Sequence, residues 1–307
     1  MKRKFIDAER QCNYSFQTTG QWWHLYTPGK QCPVILTSAE EFTYTMNLMA
    51  RCVFETENIT VATFEIMDNH IHIVMSGDEH NVIHFFDNFR RRLSRYLSGT
   101  GHTLPNEFKP CLKLVQSLQT LRNVIAYVNR NGYVADSDYT PFSYKWGAGR
   151  YYFNDFPIDR RVGDLTKNEL RLFFRSSDLN IPKDYKIIDS HIAPPSFCDI
   201  TLGMAMFRDA HHYFYAVSKN VEAYSEIAVE LDDSEFLTDQ ELLARVLQIV
   251  REKYRVASTK ELTGAQRFEL ARSLHYDYRS SNGQIRRLLG LNEYDINVLF
   301  PLGKQEI

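Results

Sequence analysis

Strand-like and helix-like patterns of apolar residues follow each other through the first half of the chain. The strand-like stretches are rich in aromatic and β-branched residues, and the helix-like ones repeat apolar residues every three or four positions. In order, they are a strand at 21–26, a helix at 38–52, strands at 59–67 and 70–75, a helix at 81–97, a short apolar piece at 108–115 and a helix at 117–131. This order predicts an α+β fold of the ferredoxin-like kind, an antiparallel sheet with helices on one face.

Apolar residues at helical spacing dominate the second half of the chain. A segment with prolines and charges indicates a border near residue 155, after which helices are predicted within 201–255. Three further short helices are predicted, with Gly290 between the last two, at 264–278, 282–289 and 293–300. We therefore predict two domains: residues 1–155, which carry the sheet, and residues 156–307, mostly α-helical and ending in a helix-turn-helix at 264–300.

The predicted helix-turn-helix segment carries charges of both signs. Its arginines favour a DNA-binding role, but Glu293 and Asp295 lie on the helix that would enter the groove and oppose base recognition. The arginines that favour this role are Arg272, Arg279, Arg286 and Arg287. A helical packing module without DNA contacts is the alternative.

Composition narrows the class of protein. The chain has 307 residues, of which 44% are hydrophobic and 24% charged, and its formal net charge is −2. Its five cysteines are scattered without a C-x-x-C pair, which argues against a disulfide framework and a structural zinc site. It has neither an apolar run long enough to cross a bilayer nor an N-terminal apolar signal region. We therefore expect a cytoplasmic protein without a membrane partner, which meets any nucleic acid through local basic patches.

A histidine pair opens the predicted strand at 70–75. Because successive side chains of a strand point to opposite faces, His70 and His72 project together from one face while Ile71 and Ile73 pack on the other. Two neighbouring imidazoles on a rigid strand form half of a site for a divalent metal ion. The alternative is a pair of polar residues on a hydrated sheet face.

A polar row lies beside the apolar stripe of the helix at 117–131. Asn123, Tyr127 and Asn131 are spaced by four residues, which places them on one face of that helix. A tyrosine flanked by carboxamides beside a core seam is a candidate nucleophile. The alternative is a half-buried tyrosine whose hydroxyl reaches water.

Together these residues resemble the single-tyrosine HUH transposases, and more closely the branch of REP-associated tyrosine transposases. The histidine-hydrophobic-histidine signature of the family appears as His70-Ile71-His72, and its Tyr-Ile-x-x-Asn-Pro block appears as Tyr127-Val128-Asn129-Arg130-Asn131-Gly132. Between them, residues 89–96 resemble the basic helix of the family. The order and spacing agree over residues 16–155, but Gly132 stands where the family usually has proline.

This resemblance implies a metal-dependent transposase or endonuclease. Such an enzyme cleaves and rejoins single-stranded DNA through a covalent 5′-phosphotyrosine, at sites flanked by hairpins. The resemblance implies that Tyr127 is the nucleophile and that His70, His72 and Asn131 hold Mg²⁺ or Mn²⁺. It also implies a monomer or homodimer that acts at the nucleoid of a prokaryotic cell.

Basic and polar side chains near this set are assigned to DNA binding. Arg90, Arg91 and Arg95 leave the apolar stripe of their helix and can meet phosphates. On the helix that carries Tyr127, we assign the same role to Asn123 and Arg130. A solvated helix face is the alternative for each arginine.

Three other functions stay open. A domesticated protein that keeps the fold and binds DNA hairpins as a regulator needs no nucleophile. An HUH nickase for replication or conjugation is disfavoured, because the chain lacks a G-x-x-x-x-G-K-[ST] motif and a second tyrosine on the row of Tyr127. A hydrolase built on the histidine pair needs a carboxylate base, and the sequence indicates none beside it.

Overall fold

The computed structural model describes residues 16, 20–29, 32–135, 139–140, 142–178, 180–218, 227, 237, 239–278, 280 and 282–300. These residues divide into two compact units. The first unit comprises those within 1–132 and 141–218, and the second comprises those within 133–140 and 219–307. The first unit therefore extends beyond the domain border predicted at residue 155.

The first unit contains a four-stranded antiparallel sheet. Its strands are β1 (Trp22–Tyr26), β2 (Ile59–Ile66), β3 (Ile71–Gly77) and β4 (Cys111–Val115). Their order across the sheet is β2-β3-β1-β4, so the first strand of the chain lies between the third and the fourth. The mixed α+β class and the antiparallel sheet predicted from the sequence are confirmed.

Three long helices of the first unit follow the predicted pattern. They are α1 (Ala39–Glu55), α2 (Glu79–Gly99) and α3 (Leu118–Ala135). Ser38 caps α1, because its hydroxyl accepts the Glu41 amide at 3.3 Å while the Glu41 carboxylate accepts the Ser38 amide at 3.1 Å. Of the apolar stripe predicted for α2, Phe85, Phe86, Phe89, Leu93 and Leu97 are buried and Tyr96 is half-buried.

The register of the strands gives the sheet one polar and one apolar face. Residues directly opposite each other in antiparallel strands share a face. Glu65, His72 and Tyr26 form one such row, and His24 and Lys113 face each other in the next row. The opposite face carries fully buried apolar side chains, among them Leu25, Phe64 and Ile73.

Helix α3 lies against the polar face of the sheet. The Thr63 hydroxyl donates to the side-chain oxygen of Asn129, and the Gly132 amide donates to the Glu65 carboxylate at 2.6 Å. Of the apolar stripe predicted for this helix, Leu121, Val124, Ile125 and Val128 are buried and Leu118 is half-exposed. The two polar bonds hold the C-terminal half of α3 beside β2.

The remainder of the first unit contains a small second sheet that the sequence did not predict. It consists of β5 (Arg160–Arg161), β6 (Lys186–Ile188) and β7 (His191–Ile192), in that order. Strands of two or three residues are too short to show an alternating pattern, so a mostly helical second half was predicted instead. The helices of this segment are α4 (Lys167–Phe174), α5 (Ile200–Ala205) and α6 (Ala210–Ser218).

Buried hydrogen bonds join the segment that contains the second sheet and the helices α4 to α6 to the helices α1 and α3. The Ile192 amide donates to the side-chain oxygen of Asn47 in α1 at 2.8 Å. The Asn129 side-chain nitrogen, from α3, donates to the Tyr213 hydroxyl at 3.1 Å. Such contacts between distant parts of the chain explain why the first unit continues past the predicted border.

The second unit is helical where the structure describes it. Its helices are α7 (Asp239–Lys253), α8 (Gly264–Tyr276), α9 (Asn282–Leu289) and α10 (Glu293–Leu299). They share a core that contains Leu242, Val246, Leu270, Leu274, Ile285 and Ile296. The three short helices predicted within 264–300 are thus present, and Gly290 adopts a φ of 63° between the last two.

Three of the arginines that favour a DNA-binding role lie at the surface of this helical segment. Arg272, Arg286 and Arg287 are exposed, and Arg287 forms an ion pair with Asp239 at 2.8 Å. Arg279 lies outside the described residues. The role of the segment as a DNA-binding helix-turn-helix stays a prediction.

Two broader expectations concern cysteines and membranes. Among the described residues, Cys32, Cys52, Cys111 and Cys198 are free thiols. Within the same ranges, no helix combines the length and the apolar character needed to cross a bilayer.

A buried histidine gives the first unit a measurable sensitivity to acid. His191 of β7 is fully buried and its ring lies 5.7 Å from that of Trp146. Burial lowers the pKa of His191 to about 4, with the Arg150 guanidinium acting in the same direction and the Asp189 carbonyl against it.

We expect this residue to lower the free energy of unfolding by roughly 3 kcal/mol between pH 6.5 and pH 4. In that window the unfolded chain binds a proton on His191 that the folded protein does not bind. The stability that the neutral, buried His191 contributes to the folded protein is therefore fully present above pH 6.5 and is lost as the pH falls toward 4. Denaturant titrations of wild type and His191→Phe over this range should show a shallower loss for the variant, and equal slopes would contradict the assignment.

Candidate active site

His70 and His72 lie side by side, as the alternation of the strand predicts. His70 immediately precedes β3 and His72 lies within it, and their ring centroids are 4.9 Å apart. The two rings are perpendicular, and their residues are 2% and 0% exposed. This burial excludes the alternative of two polar residues on a hydrated sheet face.

Asn69 determines which ring nitrogen of His70 carries a proton. Its side-chain nitrogen donates to the carbonyls of Gly29 and Cys32, at 2.8 and 2.9 Å. The side-chain oxygen of Asn69 therefore faces Nδ1 of His70, 2.6 Å away, and that oxygen can only accept a hydrogen bond. In a neutral His70, Nδ1 must then be the protonated nitrogen, and Nε2 keeps the lone pair that a metal ion needs.

The segment after β1 covers His70 with backbone. A Cβ on Gly29 would lie 2.7 Å from Nδ1 of His70, which is closer than Cβ atoms approach other atoms in proteins. Just before it, the Thr27 hydroxyl accepts the Ile71 amide at 3.1 Å, which fastens the segment to β3. Gly29 is thus required by lack of space beside the imidazole.

Helix α3 places Tyr127 beside the histidines. The centroid of its ring lies 5.8 Å from that of His72, with the two planes at 87°, and 6.3 Å from that of His24. Tyr127 is 3% exposed, so it is not the half-buried tyrosine of the alternative interpretation. The predicted nucleophile and a predicted metal ligand, which come from distant parts of the sequence, are neighbours in the fold.

Asn131, the predicted oxygen ligand, follows Tyr127 by one turn of α3. It is 1% exposed, and its side-chain nitrogen has no hydrogen-bond partner in the described part of the chain. A half-turn of the amide group exchanges its nitrogen and oxygen. A buried amide whose nitrogen has no partner in the described part of the chain can therefore turn its oxygen toward a metal ion.

Glu65 attaches the end of α3 to the strand next to His72. It lies opposite His72 in the pairing of β2 with β3, is 1% exposed and accepts the Gly132 amide at 2.6 Å. The family that the sequence resembles usually has proline at the position of Gly132, and a proline there has no amide hydrogen to donate to Glu65. A Cβ at residue 132 would also lie 2.2 Å from a ring carbon of Tyr144. The departure from the family pattern therefore suits the neighbours of Gly132 in this chain.

Glu65 also corrects the expectation that no carboxylate lies beside the histidine pair. The pairing of β2 with β3 places Glu65 opposite His72, and the sequence alone does not show this pairing. The feature of the sequence that could have drawn attention to Glu65 is a charged residue in a strand that carries no other charge. Burial raises the pKa of Glu65 well above its usual value, although the bond from the Gly132 amide acts in the opposite direction.

We expect Glu65→Gln to flatten the dependence of stability on pH. Above pH 4.5 the unfolded chain releases the Glu65 proton, whereas the folded protein retains it until its raised pKa is passed. The free energy of unfolding of the wild type therefore falls as the pH rises through this window. Glutamine keeps an oxygen for the Gly132 amide but cannot ionise. Denaturant titrations in EDTA measure the effect, and parallel pH profiles of the two proteins would contradict it.

Three further side chains on this face were not singled out from the sequence. His24 Nε2 lies 3.1 Å from His72 Nδ1, and the Tyr26 ring stacks on that of His72 with centroids 6.2 Å apart. Lys113 of β4 faces His24, and burial lowers its pKa. The strand order β2-β3-β1-β4 was needed to connect these residues with the histidine pair.

The arginines predicted to bind DNA on α2 occupy different environments. Arg90 is half-buried and its Nε donates to the Phe108 carbonyl at 2.6 Å. Arg91 is exposed and donates to the Asn88 side chain at 2.8 Å. Arg95 is also exposed and lines a cleft beside α1. Arg91 and Arg95 are thus open to solvent, whereas Arg90 is bound to the main chain.

The two DNA contacts predicted on α3 differ in the same way. Asn123 is half-exposed, and its oxygen accepts the Gln119 side-chain nitrogen at 2.9 Å. Arg130 is 2% exposed and donates to the Val217 carbonyl at 3.2 Å. Arg130 therefore lies in the interior, and a contact of either residue with DNA stays a prediction.

The donor atoms at this site limit how a metal ion could be held. In the ranges that the structure describes, no group of three or more His, Cys, Asp or Glu side chains is arranged to hold a metal ion. A metal ion here would instead use the two histidines and the amide oxygen of Asn131. Such a mixed nitrogen and oxygen set suits Mg²⁺ or Mn²⁺ without excluding other divalent ions that bind imidazole.

Comparison of the chain with protein-family models, with curated proteins and with solved structures finds no match. Its residues and their geometry are therefore the basis for a functional assignment.

Proposed function

We propose that the protein is a metal-dependent transposase or endonuclease of the single-tyrosine HUH kind. It cleaves and rejoins single-stranded DNA, at sites flanked by hairpins, through a covalent 5′-phosphotyrosine. The observation that carries this proposal is the position of Tyr127 beside the buried pair His70 and His72. Packing of the core does not require a nucleophile next to two potential metal ligands.

The connectivity of the first sheet supports the ferredoxin-like assignment. The chain runs β1-α1-β2-β3-α2-β4, and the antiparallel order across the sheet is β2-β3-β1-β4. Two interleaved strand-helix-strand units, the arrangement of ferredoxin-like folds, produce this order. Helix α3, which carries Tyr127, follows this core in the chain, as the resemblance implies for an HUH nuclease domain.

The residues of the site can perform cleavage and rejoining in sequence. A Mg²⁺ or Mn²⁺ ion held by His70, His72 and Asn131 would polarise the scissile phosphate and neutralise charge on its oxygens. The Tyr127 hydroxyl oxygen forms a bond to phosphorus as the bond to the 3′ oxygen breaks. The tyrosine loses its proton and the departing 3′ oxygen gains one, which leaves a 5′-phosphotyrosine and a free 3′-hydroxyl. Because the ester keeps the bond energy, a 3′-hydroxyl can reverse the step without ATP.

The proposal also covers the residues that contact DNA, the oligomeric state and the cellular location of the protein. Arg91 and Arg95 are exposed on α2 and can pair with DNA phosphates. Arg90, Asn123 and Arg130 are further proposed contacts, of which Arg130 must leave the Val217 carbonyl to reach DNA. The protein acts as a monomer or homodimer in the prokaryotic cytoplasm, at the nucleoid.

Burial of the site favours a second candidate function. Tyr127, His70 and His72 are at most 3% exposed, yet a DNA phosphate must reach them for cleavage. A domesticated regulator that binds DNA hairpins has no such requirement. The transposase therefore needs a rearrangement that opens the Nε2 side of His70 and His72 to solvent when DNA binds.

The two functions differ in whether a covalent adduct forms. The test incubates the full chain with labelled single-stranded hairpins from around its gene, with and without Mn²⁺ or Mg²⁺. We expect a denaturation-resistant protein–DNA adduct that requires the metal ion and is absent for Tyr127→Phe. Tyr185→Phe, at a half-buried tyrosine before β6, is the matched control and should keep the adduct. Tight hairpin binding by wild type and Tyr127→Phe alike, without any adduct, would establish the regulator.

A further inference from the structure

We infer that His24 is a positioning residue for the metal site: its Nε2 accepts a hydrogen bond from Nδ1 of His72 and so turns Nε2 of His72 toward the metal ion. The inference rests on the proposed function. His24 lies in β1, far from the histidine pair in the sequence, and belongs to none of the motifs described above.

Strand pairing explains how His24 reaches the histidine pair. β1 pairs with β3 so that Tyr26 faces His72 and His24 faces Val74. His24 therefore shares a face with His72 and lies diagonally across from it. Nε2 of His24 is 3.1 Å from Nδ1 of His72, and the ring centroids are 5.2 Å apart. This distance between the two nitrogens is that of a hydrogen bond.

A hydrogen bond between two imidazoles restricts where their protons lie. One of the two facing nitrogens must carry a proton and the other a lone pair. If His24 were the donor, a neutral His72 would carry its own proton on Nε2 and would have no second lone pair to offer a metal ion. A ligating His72 must therefore donate through Nδ1, and His24 must accept through Nε2.

His70 also has a hydrogen-bond acceptor at its Nδ1. The Asn69 oxygen lies 2.6 Å from Nδ1 of His70, and the two carbonyl bonds of the Asn69 amide fix it as an acceptor. Each member of the pair thus has an acceptor at Nδ1 and presents Nε2. Outer acceptors of this kind set the tautomer and the orientation of metal-ligating histidines.

The surroundings of His24 hold its ring in place without a metal ion. The residue is 1% exposed and lies in a strand that is paired on both sides, with β3 and with β4. Its ring also contacts that of Tyr26, with centroids 5.4 Å apart. The acceptor for His72 is therefore already in position before a metal ion binds.

The test measures Mn²⁺ binding to the full chain without DNA, by the electron paramagnetic resonance signal of free Mn²⁺. In His24→Phe the ring volume is kept and the acceptor is removed, whereas in His24→Gln a side-chain oxygen can replace the acceptor. We expect His24→Phe to bind Mn²⁺ about 10- to 100-fold more weakly than wild type, with partial recovery in His24→Gln. His191→Phe, at a buried histidine of β7, is the matched control and should bind as wild type does.

A measurement on the wild type keeps the inference testable if His24→Phe does not fold. Nitrogen NMR of the metal-free protein should show neutral His72 protonated at Nδ1, and protonation at Nε2 would overturn the inference.

The outcomes separate this inference from the proposed function. Wild-type affinity in a folded His24→Phe, with loss of Mn²⁺ binding in His70→Ala, would overturn the role of His24 alone. Absence of Mn²⁺ binding by the wild type would overturn both.

Discussion

Replacement of Tyr127 by phenylalanine is expected to slow DNA strand cleavage by on the order of 10⁴-fold or more. The phenyl ring keeps the packing of the tyrosine against His72 and His24, but it has no oxygen that can form a bond to phosphorus. Hairpin binding should change little, because recognition by charge and shape does not use the hydroxyl. Single-turnover cleavage of a labelled hairpin, with Mn²⁺ present, measures the effect.

The control for this prediction is Tyr185→Phe, which removes a hydroxyl at a half-buried position elsewhere in the first unit. It should cleave at the wild-type rate. If Tyr127→Phe also cleaved at that rate, another group or a water molecule would be the nucleophile, and the role of Tyr127 would be wrong.

The second large effect is expected for binding of the metal ion. In His70→Ala, Mn²⁺ affinity should fall by at least about 100-fold, because the change removes a proposed ligand of the ion and not a residue that only orients one. The Asn69 oxygen, 2.6 Å from Nδ1 in the wild type, would then have no imidazole to orient. Mn²⁺ titration of the metal-free protein measures the affinity, and cleavage at the same Mn²⁺ concentration should fall with it.

His80→Ala provides the matched control, since His80 is exposed in the first turn of α2 and has no assigned role. Its Mn²⁺ affinity should equal that of the wild type. Cleavage by His70→Ala at the wild-type rate, at a Mn²⁺ concentration that only just supports the wild type, would exclude this histidine from the metal site.

The parts of the fold and site that the sequence predicted depend on local periodicity. Alternation along a strand places His70 and His72 on one face whatever the rest of the chain does. A spacing of four residues places Tyr127 and Asn131 on one face of a helix for the same reason. The helices α1, α2 and α3 were likewise predicted from stripes of apolar residues.

The parts that were missed depend on which strands become neighbours. His24 and Glu65 reach His72 only because β3 lies between β1 and β2, and no local pattern contains that order. The role of Asn69 depends on two carbonyls from the segment after β1, which is distant in the sequence.

The contacts of the arginines on α2 and α3 could not be predicted from the sequence either. A polar position on a helix shows that a side chain leaves the apolar stripe, but it does not show what that side chain then meets. Arg91 reaches solvent, whereas Arg90 and Arg130 meet main-chain carbonyls of Phe108 and Val217. Both carbonyls come from other segments that fold against the helices.

The central claim is that Tyr127 attacks the DNA phosphate, and peptide mapping of a covalent adduct tests it most directly. The wild type would be incubated with a single-stranded hairpin and Mn²⁺, digested with protease and nuclease, and analysed by mass spectrometry. We predict a nucleotide mass attached to the peptide that contains Tyr127, and only when Mn²⁺ is present. Attachment to a different tyrosine, or cleaved DNA without any attached peptide, would contradict the claim.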